Sequence, residues 1–341
     1  MRLYFISFTR TGVSLSKSLA KFCEKSHQCN LYSTKPYDAS ISVTSVKEFT
    51  HQAFEKADGI VFIGACGIAA RSIAPYLKHK GEDPAVVVLD EKGKFSISLL
   101  SGHGGGANAL ARELAGYTKG QAVITTATDV QEKTAVDVWA KQQGLWFDDW
   151  NRAKKISAAV LEGKKISVSS DFPIFSLPEE FFESEIGDLG ICISFDEEKK
   201  PFDETLLLVP QIVVVGIGCK KGTEAEEIEK FLLEVLKEKS ISHHSICCVC
   251  SIDLKQEEKG ILQVCNQYGW KFCTFSAEEL EKAKGSFSSS DFVKHITGVD
   301  NVCERSAVLG SQGGTLLQKK IARDGITLAI AVKPWGVGVG V

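Results

Sequence analysis

The sequence predicts an α/β protein: two doubly wound, mostly parallel sheet domains joined by a small α+β middle segment. Three observations predict it. Short apolar runs alternate with stretches of helical spacing through the first third of the chain. One of those runs, Gly59 to Gly64 (GIVFIG), is apolar without alternation, as in a strand buried on both faces. The same alternation resumes near Thr205 after a more irregular interval. The expected domains are residues 1–145, 146–204 and 205–341.

In chain order, Arg2 to Phe8 reads as a strand ended by the turn-like Thr9-Arg10-Thr11-Gly12. Val13, Leu15, Leu19 and Phe22 then mark a helix over Val13 to Cys23. A helix from Ile68 to Leu77 follows the GIVFIG strand. Pro84 to Leu89 and Lys94 to Leu100 read as strands joined at Glu91-Lys92-Gly93. The glycine-rich Ser101 to Gly106 leads into a helix from Ala107 to Tyr117, a strand from Gln121 to Thr126 and a helix from Val130 to Gln142. In the middle, short strands fit Lys165 to Ser169 and Gly190 to Phe195. The last block opens with a strand from Leu206 to Val215, closed by Gly216-Ile217-Gly218-Cys219. Thr223 to Glu226 fits a T-x-x-E capping box for a helix running to about Lys239. Strands fit Ser245 to Ser251, Phe272 to Phe275, Gly314 to Gln318 and Gly325 to Val332. Helices fit Glu257 to Tyr268 and Ala277 to Ala283, the latter capped by Ser276 with Glu279. The tail, Trp335 to Val341, alternates glycine and valine and is expected to be loose.

Composition excludes several classes. Hydrophobic residues make up 44% and charged residues 24% of 341, the balance of a globular protein. A net charge of −3 argues against general nucleic-acid binding, which needs a basic surface, but local donors can still hold an anionic ligand. The longest apolar stretch, Leu206 to Ile217, is too short to span a membrane and is interrupted by Pro210 and Gln211. Met1 to Phe8 lacks the features of a signal peptide. Eleven scattered cysteines read as reduced thiols, which sets a cytoplasmic location as the expectation.

The most informative stretch is Ser101-Gly102-His103-Gly104-Gly105-Gly106-Ala107-Asn108. Glycines between a strand and a helix let backbone N–H groups approach a ligand, and such a strand edge is where open α/β sheets bind ligands. His103 is a candidate general base, since imidazole titrates near neutrality; the plainer alternative is a loop histidine that positions substrate. Gly64, Gly67 and Arg71 form a second such junction, with Arg71 suited to a carboxylate. Cys66 has no histidine near it in sequence and is a weak nucleophile candidate. Thr125, Thr126 and Asp129 end another strand, as ligand donors or as ordinary helix caps. Gly216, Gly218 and Cys219 miss the G-x-G-x-x-G spacing and read as a ligand-facing turn with Lys220 and Lys221 beside it. The C-x-x-C within His243 to Cys250 lacks a second ligand pair, and the segment reads as a buried strand; no metal ligand is assigned.

The stretch from GACGIAARS through LLSGHGGGANALARELA to QAVITTATD resembles the amino-terminal domain of the cobalamin-biosynthesis protein G family, the cobalt-precorrin-5A hydrolases of the anaerobic route. GIGCKKGT, VCERSAVL with Glu304, and Lys320 with GITLAIA resemble its carboxy-terminal domain. The resemblance implies a hydrolase acting on a ring-contracted cobalt corrinoid: lactone opening, then expulsion of acetaldehyde to give cobalt-precorrin-5B. It implies no cofactor beyond the cobalt that the substrate carries. His103 is the expected base, Glu304 the second catalytic candidate, and Lys320 a carboxylate clamp. The expected partner is the corrinoid itself, with a homodimer and a transient hand-off to neighbouring pathway enzymes both compatible. A non-catalytic corrinoid carrier would share the anion sites, and a nucleotide-dependent oxidoreductase would share the fold class.

Overall fold

The computed structural model describes residues 1–37, 40–79 and 81–338. They divide into two units, Met1–Val138 and Trp139–Val341. The first unit runs β1 (Arg2–Ser7), α1 (Arg10–Cys23), β2 (Gln28–Ser33), β3 (Ile41–Ser42), α2 (Val46–Lys56), β4 (Gly59–Ile63), α3 (Cys66–Ile73), β5 (Ala85–Leu89), β6 (Phe95–Leu100), α4 (Ala107–Thr118), β7 (Gln121–Val123) and α5 (Ala127–Val130), with α6 (Val136–Gln142) crossing the boundary.

Its seven strands form one sheet in the order β3-β2-β1-β4-β5-β6-β7. Both faces are covered, which is why β4 and β5 are apolar at every position. Leu3, Phe5, Val61, Ile63, Val87 and Leu89 pack with α1 and α4, whereas Ile6, Ile60, Phe62, Val86 and Val88 pack with α2 and α3. Alternate residues of one strand thus feed opposite layers. Each fully buried side chain of this kind contributes roughly 1.5–3 kcal/mol of transfer free energy.

Strand direction decides where the site lies. β1, β2, β4 and β5 are parallel, but β6 is antiparallel to β5, with Val86 opposite Leu100 and Leu89 opposite Ser96. β7 runs parallel to β6. The segments that follow β6 and β7 therefore leave the sheet at the end where β5 begins. A five-residue strand spans about 17 Å at 3.3 Å per residue, and that length separates them from the segment that follows β4.

The second unit begins with β8 (Leu145–Trp146), α7 (Trp150–Leu161), β9 (Ile166–Ser170), β10 (Phe181–Glu183), β11 (Leu189–Ile193) and β12 (Glu204–Pro210). These strands form a sheet in the order β10-β9-β11-β12-β8, parallel except for β8. The chain continues through β13 (Val213–Cys219), α8 (Ala225–Glu238), β14 (Ile246–Ile252), α9 (Lys259–Tyr268), β15 (Lys271–Phe275), α10 (Ala277–Glu281), α11 (Asp291–Thr297), α12 (Cys303–Gly310), β16 (Thr315–Arg323) and β17 (Ile326–Val332). Here the sheet order is β15-β14-β13-β17-β16, with β13, β14 and β15 parallel and β17 antiparallel to both neighbours.

Several local expectations change. The strand expected over Leu206 to Val215 is two strands, β12 and β13, in different sheets, parted after Pro210. Both are buried and apolar, and only Pro210 and the exposed Gln211 mark the break. Gly216 and Gly218 lie inside β13 and not in a turn. Glu224, not Thr223, caps α8, and it does so without a side-chain bond; Thr223 instead donates to the Lys220 carbonyl at 2.9 Å. The helix expected over Val130 to Gln142 is two short ones, α5 and α6. The capping box of Ser276 and Glu279 is present. The tail is held rather than loose at its described residues: Val337 is buried and bridges Ile174, and the Gly338 N–H donates to Gln143 Oε1 at 2.8 Å. Residues 339–341 lie outside the described residues.

Candidate active site

The loop between β6 and α4 closes upon itself. Ser101 takes a positive φ of 54°, and Gly106 caps α4 at a φ of 90°. Gly106 N–H donates to the His103 carbonyl at 2.8 Å, Ala107 N–H to that of Ser101 at 3.1 Å, and Asn108 N–H to that of Gly102 at 2.9 Å. The Gly106 amide, expected to face a ligand, is thus consumed within the loop. The glycines serve the same closure. A Cβ on Gly102 would lie 2.7 Å from Asn108 Oδ1, and one on Gly105 would run into Ser101. Gly104 is half-buried between them.

The closed loop holds His103 against a carboxylate. Its Nε2 lies 2.6 Å from Asp129 Oδ2 and 3.0 Å from Thr128 Oγ1. A carboxylate acceptor at Nε2 needs N–H there, which leaves Nδ1 with the lone pair in the neutral ring. Nδ1 is 3.7 Å from Asp137 Oδ1, too far for a hydrogen bond and close enough for attraction once it is protonated. Asp129 also accepts from Asn108 Nδ2 at 2.8 Å and from Arg112 Nη2 at 2.5 Å. Burial opposes its ionisation, but the bonds from Arg112 and His103 outweigh burial and hold the carboxyl below its ordinary value. Asn108 is 4% exposed; its Nδ2 also donates to Thr126 Oγ1 at 3.2 Å, and its Oδ1 accepts no hydrogen bond among the described residues. A buried acceptor left so costs about 1–3 kcal/mol, which a donor on a bound ligand would relieve.

The structure thus joins His103, Asn108, Thr126 and Asp129 into one cluster, with Ser101 beside them, its Oγ donating to the Asp83 carbonyl at 3.0 Å. Thr125 is exposed at the same sheet end. Gly64, Gly67 and Arg71 follow β4 and lie at the other end. Gly64 is a packing requirement, its Cβ position being 2.9 Å from Phe8 Cδ2, and Arg71 is exposed. Sequence reasoning missed Arg112 and Asp137. Arg112 stands four residues after Asn108 on α4, a spacing that places both on one face. Nothing local marks Asp137, which arrives on α6.

The second unit contains a cavity of about 1140 Å³, whose walls include Gly218, Cys219, Lys220, Lys255 and Lys320. Its lining comes wholly from that unit and includes none of the residues of the His103 loop. Burial pushes the Cys219 thiol up, which disfavours a nucleophilic thiolate. Burial likewise lifts Cys192 and Cys265 to about 12, as expected for inert core thiols. Gly216 is where α12 meets β13: a methyl group there would run into the Cys303 carbonyl. Glu304 is fully buried. Its carboxylate accepts from Ser288 N and Ser288 Oγ at 2.8 Å each and from Lys320 N at 2.7 Å. That geometry ties β16 and the segment before α11 to α12, with the Lys320 side chain at the cavity wall.

Comparison with known proteins bears on the whole chain. The cobalamin synthesis G N-terminal family model matches residues 48–129, the cobalamin biosynthesis central region matches 134–210, and the cobalamin synthesis G C-terminus matches 213–331. A cobalt-precorrin-5A hydrolase from Salmonella typhimurium is 35% identical over 95% of this chain and 95% of its own length. The chain belongs to the cobalamin synthesis G family. A cobalt-precorrin-5A hydrolase from Priestia megaterium is 31% identical over 97% of this chain and 94% of its own length. Protein CobE from a Sinorhizobium species is 28% identical, covering 35% of this chain and 79% of its own. No helix among the described residues is long and apolar enough to cross a membrane.

Proposed function

We propose that this protein is a cobalt-precorrin-5A hydrolase with His103 as its general base. Two relatives of that name align over nearly the whole chain, and the observation that carries the catalytic reading is the 2.6 Å bond between His103 and Asp129. Asp129 holds the ring in the tautomer whose Nδ1 can take a proton. Water activated there adds to the lactone carbonyl, and the acyl C–O bond breaks. The alkoxide so released forms the carbonyl of acetaldehyde as the carbon–carbon bond to the ring breaks, and the electron pair of that bond enters the conjugated macrocycle. The imidazolium formed at His103 then faces Asp129 at Nε2 and Asp137 at Nδ1. A positioned base of this kind contributes typically about 10²–10⁴-fold.

Asn108 Oδ1 is the acceptor for a substrate hydroxyl or the attacking water. Gly218, Cys219 and Lys320, with the neighbouring lysines, line a cavity suited to a carboxylate-edged ligand of this class. Glu304 positions Lys320 and α12 rather than reacting. The reading needs no cofactor in the reaction, because cobalt arrives with the substrate. It also includes a cytoplasmic setting, a homodimer and transient hand-off to neighbouring pathway enzymes. Anaerobic incubation with cobalt-precorrin-5A should release one acetaldehyde per corrinoid consumed. A carrier would bind the corrinoid and release none.

A further inference from the structure

We propose that Glu197, His243 and His244 form a binding site for a divalent transition-metal ion of the zinc type, which fastens the loop after β11 to the turn before β14. The site is independent of the reaction proposed above. One donor atom from each residue lies within 4.8 Å of the other two. Ligands around tetrahedral zinc at about 2.0–2.1 Å sit roughly 3.4 Å apart. The gap to be closed between any two donors is therefore about 1.4 Å at most, within the range of side-chain torsions of the exposed Glu197 and the half-buried His243 and His244.

The surroundings hold the donors in place. The Ser242 N–H donates to the Phe195 carbonyl at 2.8 Å, which joins the two segments two residues before Glu197 and one before His243. Ser242 Oγ is hydrogen-bonded to Glu197 Oε1 and accepts from His244 N–H at 3.1 Å. Glu197 Oε2 is left to ligate. The His244 ring stacks on Trp146 with centroids 3.3 Å apart and planes 9° apart. His243 meets Tyr268 edge-on at 5.4 Å, and the two imidazoles are 3.9 Å apart. Packing fixes both rings, yet neither makes a side-chain hydrogen bond or ion pair among the described residues, although both are half-buried. Buried polar groups ordinarily find partners. Two neutral imidazoles and a carboxylate suit a borderline divalent cation, with a fourth position for water. Serine and the stacked rings provide the outer contacts such sites use to orient their ligands.

The test uses the full-length chain without a histidine tag, stripped with chelator and titrated with Co²⁺ as a visible-absorption probe, then with Zn²⁺ in competition. One equivalent should bind, with Co²⁺ bands of the intensity that marks fewer than six ligands, and Zn²⁺ should raise the unfolding temperature. Loss of an outer-shell partner alone costs about 10–100-fold in affinity. The double variant His243→Ala, His244→Ala should therefore weaken binding at least about 100-fold, and Glu197→Gln at least about 10-fold. His103→Ala should leave affinity unchanged. If the double variant fails to fold, Glu197→Gln at its exposed position carries the test. Absence of 1:1 binding in the unaltered chain, or binding lost with His103→Ala and retained in Glu197→Gln, overturns the assignment.

Discussion

Replacing Asp129 with asparagine changes one oxygen to NH₂ and tests whether the carboxylate sets the state of His103. The carboxylate uses Oδ2 for His103 and Asn108 and Oδ1 for Arg112. An amide has one acceptor oxygen to divide between those sides. If that oxygen faces Arg112, the NH₂ meets His103 Nε2 and selects the tautomer with hydrogen on Nδ1, which removes the base. If it faces His103, the tautomer survives, but NH₂ opposes the Arg112 guanidinium and the imidazolium loses its anionic partner. Either orientation removes most of what a positioned base supplies, about 10²–10⁴-fold in turnover, which is roughly 3–5 kcal/mol of barrier at 1.36 kcal/mol per decade. The assay is single-turnover release of acetaldehyde from cobalt-precorrin-5A, with corrinoid affinity measured separately. Affinity should change little. Turnover of Asp129→Asn within about threefold of the unaltered protein would refute the reasoning, because no orientation of the amide preserves both functions of the carboxylate.

Three further outcomes follow. Asp129 has a depressed pKa, so its contribution to stability is complete above the ordinary value of 3.8 and is lost as pH falls through the lower folded-state value; Asp129→Asn should flatten that part of the acid-unfolding curve. Glu304→Ala removes the acceptor of the Ser288 and Lys320 backbone N–H groups and of the Ser288 hydroxyl, and should cost about 1–3 kcal/mol in urea unfolding, while Glu304→Gln retains acetaldehyde release in the folded fraction. Gly102→Ala places a methyl 2.7 Å from Asn108 Oδ1; repacking should cost about 1–3 kcal/mol by thermal unfolding and slow turnover by displacing Asn108.

Much of the fold was legible because fully buried parallel strands leave continuous apolar runs, as in β4, β5 and β13. The same property obscured the change of sheet at Pro210, where two apolar strands are parted only by Pro210 and Gln211. The reversal of β6 is legible in the short turn at Glu91-Lys92-Gly93, because parallel neighbours need a longer crossover. That reversal divides the expected site: Thr126 and Asp129 join His103, while Gly64, Gly67 and Arg71 fall at the far end of the sheet. β2 and α2 escaped notice because β2 is only partly buried, with polar residues at Gln28, Asn30 and Ser33. At the site, His103 and Asn108 stood out through their glycines, although the glycines serve closure of the loop. Arg112 was recoverable from helical spacing. Asp137 was not, because only the tertiary fold brings α6 to the loop.

The most direct test of the account is single-turnover acetaldehyde release by His103→Ala set against its affinity for cobalt-precorrin-5A. A neutral imidazole acting as the base predicts release slowed by about 10²–10⁴-fold with affinity nearly unchanged. Undiminished release, or a loss confined to binding, would contradict it.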